Sequence, residues 1–197
     1  MQKWKQTFMI MATVCIMVGC GSGSPATPGM NTVSIQKDGK IEQTIVEQFE
    51  QNYYNAEELA GMAKDKIDRY SDGKDNIVFE SAEENDVTII VKIVYQTGTD
   101  YTDFNNRELF CGTVAEASAQ GYSLQDIISK DGEKLKDTEF AAIEKNHIVI
   151  IQTGKGEELD VNVYDKILYT SGNITLSGKN DAIIAAGEED TISCIIW

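Results

Sequence analysis

The chain is poor in the residues on which several common functions depend. Among its 197 residues there is one histidine, there are two prolines, and 17 lysines and arginines stand against 32 aspartates and glutamates. Lysine and arginine neutralise the phosphates of nucleic acids, so a formal net charge of −15 argues against a DNA or RNA partner. The single histidine, His147, has no second histidine with which to hold zinc. We predict that it lies at the end of a strand and has no catalytic role.

The chain also lacks an apolar run long enough to cross a membrane as a helix. The N-terminal apolar run covers residues 8–18, whereas a spanning helix needs about 17 to 25 residues. Lys3 and Lys5 precede this run and Gly19 follows it. A basic segment, a short apolar run and a small residue, in that order, are typical of a secretory signal. We therefore predict that residues 1–19 are a signal peptide.

The segment Met17-Val18-Gly19-Cys20 resembles the lipobox of bacterial lipoproteins, although Met17 stands where that family more often has leucine. In that family a peptidase cuts before the cysteine, which then carries acyl chains such as palmitate. Two such chains anchor a protein stably. The resemblance therefore implies that Cys20 is lipidated and that the protein is attached to the extracytoplasmic face of the cell membrane. Residues 20–31 hold both prolines and no charge, which is typical of a flexible tether.

Residues 32–197 are predicted to form one extracytoplasmic domain of the α+β class, because this length suits a single core. Short runs of β-branched residues separated by turn residues fill its last third, which indicates a mainly antiparallel sheet. Near the start, Asp38-Gly39 predicts a hairpin with a three-residue loop that places Ile35 opposite Ile41.

One longer helix is predicted over residues 56–70, with a few short helices elsewhere. Asn55 and Glu58 have the spacing of a capping box. A set of apolar residues then recurs at helical spacing and predicts one buried face: Leu59, Met62, Ala63, Ile67 and Tyr70. Shorter helices are predicted within residues 99–109, after Thr113 and after Ser123.

Two cysteines, Cys111 and Cys194, belong to the predicted domain. An even pair in an exported protein permits a disulfide. Each cysteine also lies beside apolar residues, where a free buried thiol is common. Both alternatives remain open, and a catalytic thiol is disfavoured because only His147 could activate it.

Asp100, Asp103 and Glu108 lie close together in sequence, beside Tyr101 and Phe104. Carboxylate oxygens of this kind can bind a cation such as calcium weakly. The spacing is not that of an EF-hand, and exposed, solvated charges are the alternative. We therefore treat the three carboxylates as a candidate weak cation site, and no metal or other cofactor is predicted.

Five segments of the domain resemble a group of uncharacterised small lipoproteins of Gram-positive clostridia. They are residues 32–35 before Asp38-Gly39, Tyr53-Tyr54 before residues 57–59, residues 103–105 before Leu109-Phe110, residues 112–117, and residues 167–171. The resemblance implies the extracytoplasmic location and a one-domain architecture. It implies no activity and no site residue.

These observations favour a non-catalytic binding protein. Its ligand would be a partner protein, a wall glycan or a small molecule, and the acidic charge favours a basic partner. The alternatives are a hydrolase that acts on the cell wall and an accessory solute-binding component of a transporter.

Overall fold

Strands and helices account for most of the described chain, which comprises residues 29–48, 56–71, 73–85, 88–124 and 126–197 of a computed structural model. The strands are β1 (Thr32–Ile35), β2 (Ile41–Gln48), β3 (Ile77–Asn85), β4 (Thr88–Tyr95), β5 (Leu109–Thr113), β6 (Ile127–Ser129), β7 (His147–Thr153), β8 (Leu159–Val163), β9 (Tyr169–Ser171), β10 (Ile174–Leu176), β11 (Asp181–Ile184) and β12 (Thr191–Ile196). The helices are α1 (Ala56–Ser71), α2 (Gly98–Asn105), α3 (Val114–Ala119) and α4 (Phe140–Ile143), and a 3-10 turn covers Asp137–Glu139.

The strands form two sheets. Sheet A has seven strands in the order β10-β11-β8-β1-β2-β4-β3, and sheet B has five in the order β5-β7-β12-β9-β6. Neighbouring strands run antiparallel except β1 and β8, which are parallel. The prediction of one α+β domain with mainly antiparallel strands, one longer helix and a few short helices is confirmed. The division into two sheets was not predicted.

Sheet B is buried on both faces, as the alternating side chains of β7 show. Val149 and Ile151 belong to a large core cluster that also contains residues of sheet A, such as Val33 and Val161. Ile148 and its neighbours on the other face belong to a second cluster with residues of α3 and α4. The layers are therefore sheet A, sheet B and a cover that contains the two short helices.

The first hairpin forms as the sequence predicts. Ile35 pairs with Ile41, and the amide of Gln36 donates to the carbonyl of Lys40 at 2.9 Å. Gly39 has a φ of +86°, in the left-handed region that a three-residue loop requires at this position. The short-range sequence pattern was therefore sufficient to determine this register.

The predicted long helix is confirmed as α1, but its buried face is narrower than predicted. Ile67 is buried, whereas Met62 is 63% exposed. Asn55, the predicted N-cap, lies outside the described residues. No helix in the described residues is long and apolar enough to span a membrane.

The candidate disulfide between Cys111 and Cys194 is wrong, because both thiols are free. Cys111 pairs with Val149 and Cys194 with Ile150, so β7 separates them and their side chains point to opposite faces of sheet B. Strands two places apart are about 10 Å from each other, which exceeds the Cα separation that a disulfide spans. The alternative of free thiols among apolar residues is what the structure shows.

Close packing of α2 against β5 depends on a glycine. A Cβ atom on Gly98 would lie 2.7 Å from the backbone oxygen of Leu109 and 3.1 Å from its Cδ2 atom. Thr102, one turn further along α2, accepts a hydrogen bond from the Leu109 amide at 2.9 Å through its hydroxyl oxygen. The helix therefore covers the outer edge of sheet B.

We expect Gly98→Ala to lower the free energy of unfolding by about 1 to 3 kcal/mol, because the new methyl group overlaps the β5 backbone. Gly61→Ala is the control, since Gly61 lies inside α1 and has no atom within 4 Å of an added Cβ. That change should raise stability by about 0.5 to 1 kcal/mol. Urea unfolding of both variants measures the difference, and equal effects of the two substitutions would contradict the close packing of α2.

Both thiols should react slowly in the folded protein. Burial raises the pKa of Cys111 and of Cys194 to about 12, so neither thiol forms much thiolate at pH 8. Iodoacetamide followed by peptide mapping should find both unmodified in the native protein and both modified after unfolding without a reductant. Labelling that needs prior reduction would show that a disulfide is present.

Candidate functional site

A cleft of about 550 Å³ lies along the edge of sheet B, between α2 and the segment that follows α3. Three residues of α2 line it, together with residues 106–110, which lead into β5. Gln120, Tyr122 and Gln152 complete the lining. Most of these side chains are polar, and the volume is in the range of small-molecule sites.

The end of α2 and the turn after it shape one wall of the cleft. Thr97 caps the start of the helix by accepting a hydrogen bond from the Asp100 amide at 3.1 Å. Asn106 ends the helix with a φ of 53°, a left-handed conformation that asparagine tolerates better than most residues. The chain then turns directly into β5. As a result, Asp103 of the helix and Arg107 of the turn line the same cleft.

Arg107 is held against the loop between β7 and β8. Its guanidinium lies so close to Gly154 that an added Cβ would be 2.5 Å from both Nη atoms. The Glu157 carboxylate is 3.6 Å from Nη1, which is too long for a hydrogen bond, and Nη1 has no hydrogen-bond partner among the described residues. Glu157 instead accepts a hydrogen bond from the Gly154 amide at 2.8 Å. The arginine is therefore positioned by packing and charge. Its unpartnered Nη1 atom is buried, and 38% of the side chain is exposed.

Glu108 is fixed by three hydrogen bonds. Its backbone carbonyl accepts from the Gln152 amide at 2.9 Å, and its amide donates to the Gln152 side chain at 3.2 Å. The Tyr122 hydroxyl donates to its carboxylate. Burial, and then the hydrogen bond to Glu108, raise the pKa of Tyr122 to about 12, so the hydroxyl remains a donor at neutral pH. The carboxylate therefore has a defined position in the cleft.

The three carboxylates of the candidate cation site do not come together. Asp100 accepts hydrogen bonds from Asn76 at 2.7 Å and from the Thr97 hydroxyl at 2.6 Å. Asp103 and Glu108 line the cleft, whereas Asp100 is not among the lining residues. Within the described residues, no group of three or more histidine, cysteine, aspartate or glutamate side chains could hold a metal ion. These three carboxylates therefore do not form one cation site.

His147 is the first residue of β7, which confirms its predicted position at a strand end. Its ring stacks on Trp197, with the ring centres 5.8 Å apart and an angle of 24° between the planes. It also contacts the ring of Tyr164. Cys20, the predicted lipidation site, and Tyr53-Tyr54 lie outside the described residues.

Arg107, Tyr122 and Gln152 were not predicted as site residues. Arg107 and Tyr122 lie near the acidic residues in sequence, but neither belongs to a recognisable motif. Gln152 is reached only through the pairing of β5 with β7, which brings it beside Glu108. No local sequence signal could have found it.

Comparison with known proteins does not assign the cleft. No model of a protein family, no curated protein and no solved structure matches the chain.

Proposed function

We propose that this chain is a membrane-anchored extracytoplasmic lipoprotein that binds a small polar ligand without catalysing a reaction. The observation that carries the proposal is the cleft beside β5. It offers carboxylate, guanidinium, amide and hydroxyl groups together with two aromatic rings. Sites for drug-like ligands are mainly apolar, so this lining suits a hydrophilic ligand.

The rings give the cleft one apolar surface. Phe110 and Tyr122 lie with their centres 5.2 Å apart and their planes at 41°. A ring pair can pack against the carbon atoms of a ligand while the polar groups fix its orientation. Because Tyr122 also donates to Glu108, the ring and the carboxylate keep a constant relative position.

Support for the anchor comes from the sequence of residues 1–20. The first strand begins at Thr32, so residues 20–31 lie between the predicted lipid attachment and the folded domain. A coil of about 11 residues spans on the order of 20 Å. This length would hold the cleft near the membrane without fixing its orientation.

The surroundings of the two cysteines and the histidine support the absence of catalysis. The raised pKa values of Cys111 and Cys194, which burial causes, keep both thiols protonated and poorly reactive. The ring of His147 packs against Trp197 and Tyr164. These contacts give His147 a packing role at the start of β7.

A ligand of the cleft should raise the melting temperature of the full-length protein in detergent. The screen covers amino acids, short peptides, monosaccharides and oligosaccharides, and a ligand at about 100 times its Kd stabilises by about 2.7 kcal/mol. Tyr122→Phe should lower the affinity of any hit by about tenfold, because Glu108 loses its donor. Tyr164→Phe is the matched control outside the cleft. The proposal fails if no solute changes the melting temperature.

The anchor is tested by Cys20→Ala. We expect the wild-type protein to incorporate labelled palmitate and to remain in the membrane fraction, and the variant to lose both properties. Cys15→Ala is the control, because Cys15 lies within the predicted signal peptide and would be removed with it. A Cys20→Ala protein that still carries label would place the lipid elsewhere.

A further inference from the structure

Charged groups of opposite sign line the cleft, and different parts of the fold hold them. Arg107 lies against Gly154 and near Glu157, in the loop between β7 and β8. Glu108, the next residue, is held by Tyr122, which follows α3. Arg107 and Glu108 are adjacent in the chain and contribute a positive and a negative group to the cleft. A different part of the fold holds each of them.

The positive group is incompletely satisfied by the protein. An arginine carries five N–H donors. Nη1 of Arg107 is buried and has no hydrogen bond among the described residues, whereas 38% of the side chain is exposed. Glu157 offsets part of its charge from 3.6 Å, but the Glu157 oxygen nearest to it already accepts from the Gly154 amide. The exposed part of Arg107 lines the cleft, and a carboxylate is the acceptor that a guanidinium binds best.

The negative groups also lack a cationic partner. In the described part of the chain, neither Asp103 nor Glu108 is within ion-pair distance of a lysine or arginine. Tyrosine hydroxyls are their donors: Tyr122 for Glu108, and Tyr70 for Asp103 at 3.5 Å. Two carboxylates that share a cleft and have only neutral donors favour a ligand with a positive group.

The aromatic surface lies on the side of the negative groups. Phe110, two residues after Glu108, also lines the cleft. Tyr122 packs on Phe110 and bonds to Glu108. A ligand cation bound at Glu108 would therefore also lie next to aromatic rings, which attract cations.

We propose that the cleft binds a small zwitterion of the amino-acid or short-peptide type, with its carboxylate on Arg107 and its ammonium group on Glu108 and Asp103. This assignment rests on the proposed function, because it names the ligand of the same cleft. Neither a neutral sugar nor an anion uses both sets of charges.

The test is calorimetric titration of the full-length protein in detergent with trialanine at pH 7. Trialanine that is acetylated at its amino end, amidated at its carboxyl end, or blocked at both ends serves for comparison. We expect each single block to weaken binding by about tenfold or more, because one charged hydrogen-bond pair is lost. Free alanine, titrated in parallel, shows whether one residue is sufficient.

Substitutions in the protein test which end of the peptide each charged residue binds. Arg107→Gln should bind free and amidated trialanine equally. Glu108→Gln should reduce the preference for free over acetylated trialanine, and the double variant Asp103→Asn with Glu108→Gln should abolish it. If Arg107→Gln does not fold, Arg107→Lys takes its place in the test. Lysine keeps the charge without the planar pair of donors, so this variant should show a weaker preference for the free carboxylate. Lys145→Gln and Glu144→Gln, exposed residues after α4, are the controls and should keep the full preference.

Two results would overturn the inference. One is equal binding of free and doubly blocked trialanine. The other is the absence of heat with both trialanine and alanine. If a neutral sugar then binds and Tyr122→Phe weakens it, the proposed function stands and only the zwitterion is wrong. If no solute of the screen binds, both fail.

Discussion

The pairing of β7 with its two neighbours is the constraint on which the structure depends. β7 lies between β5 and β12, and its residues from Ile148 to Ile151 are all buried. Successive side chains of a strand point to opposite faces, so a continuous apolar run must be covered on both sides. Sheet A covers one face, and the second core cluster with α3 and α4 covers the other. The two cores therefore follow from one strand.

The same pairing builds the cleft. The register that places Leu109 opposite Ile151 also brings Glu108 beside Gln152 and carries Arg107 to the start of the β7–β8 loop, where Gly154 leaves room for its guanidinium. A slip of one residue would exchange the faces of all these side chains. The position of the charged lining therefore depends on the same strand register that buries the core.

Local signals predicted local structure. The hairpin at Gly39 and the helix from residue 56 depend on contacts within a few residues, and both form as expected. The parallel pairing of β1 with β8 joins residues more than a hundred positions apart and has no local signature. The face on which Cys111 lies is set by a strand that follows it by almost forty residues, so a sequence reading could not decide between a disulfide and two free thiols. The candidate cation site failed for a similar reason. Asp100 bonds to Asn76, which is distant in sequence, and does not line the cleft with Asp103 and Glu108.

The contact between α2 and β5 has a consequence for association. β5 is an edge strand, and an uncovered edge can add a strand from another molecule. The hydroxyl of Thr102 forms hydrogen bonds with the amide and the carbonyl of Leu109. Gly98 packs closely against β5 beside Leu109 and Cys111. At Leu109 the edge of sheet B is therefore closed to intermolecular strand pairing. Strand addition at Leu109 would therefore first require α2 to move away from β5.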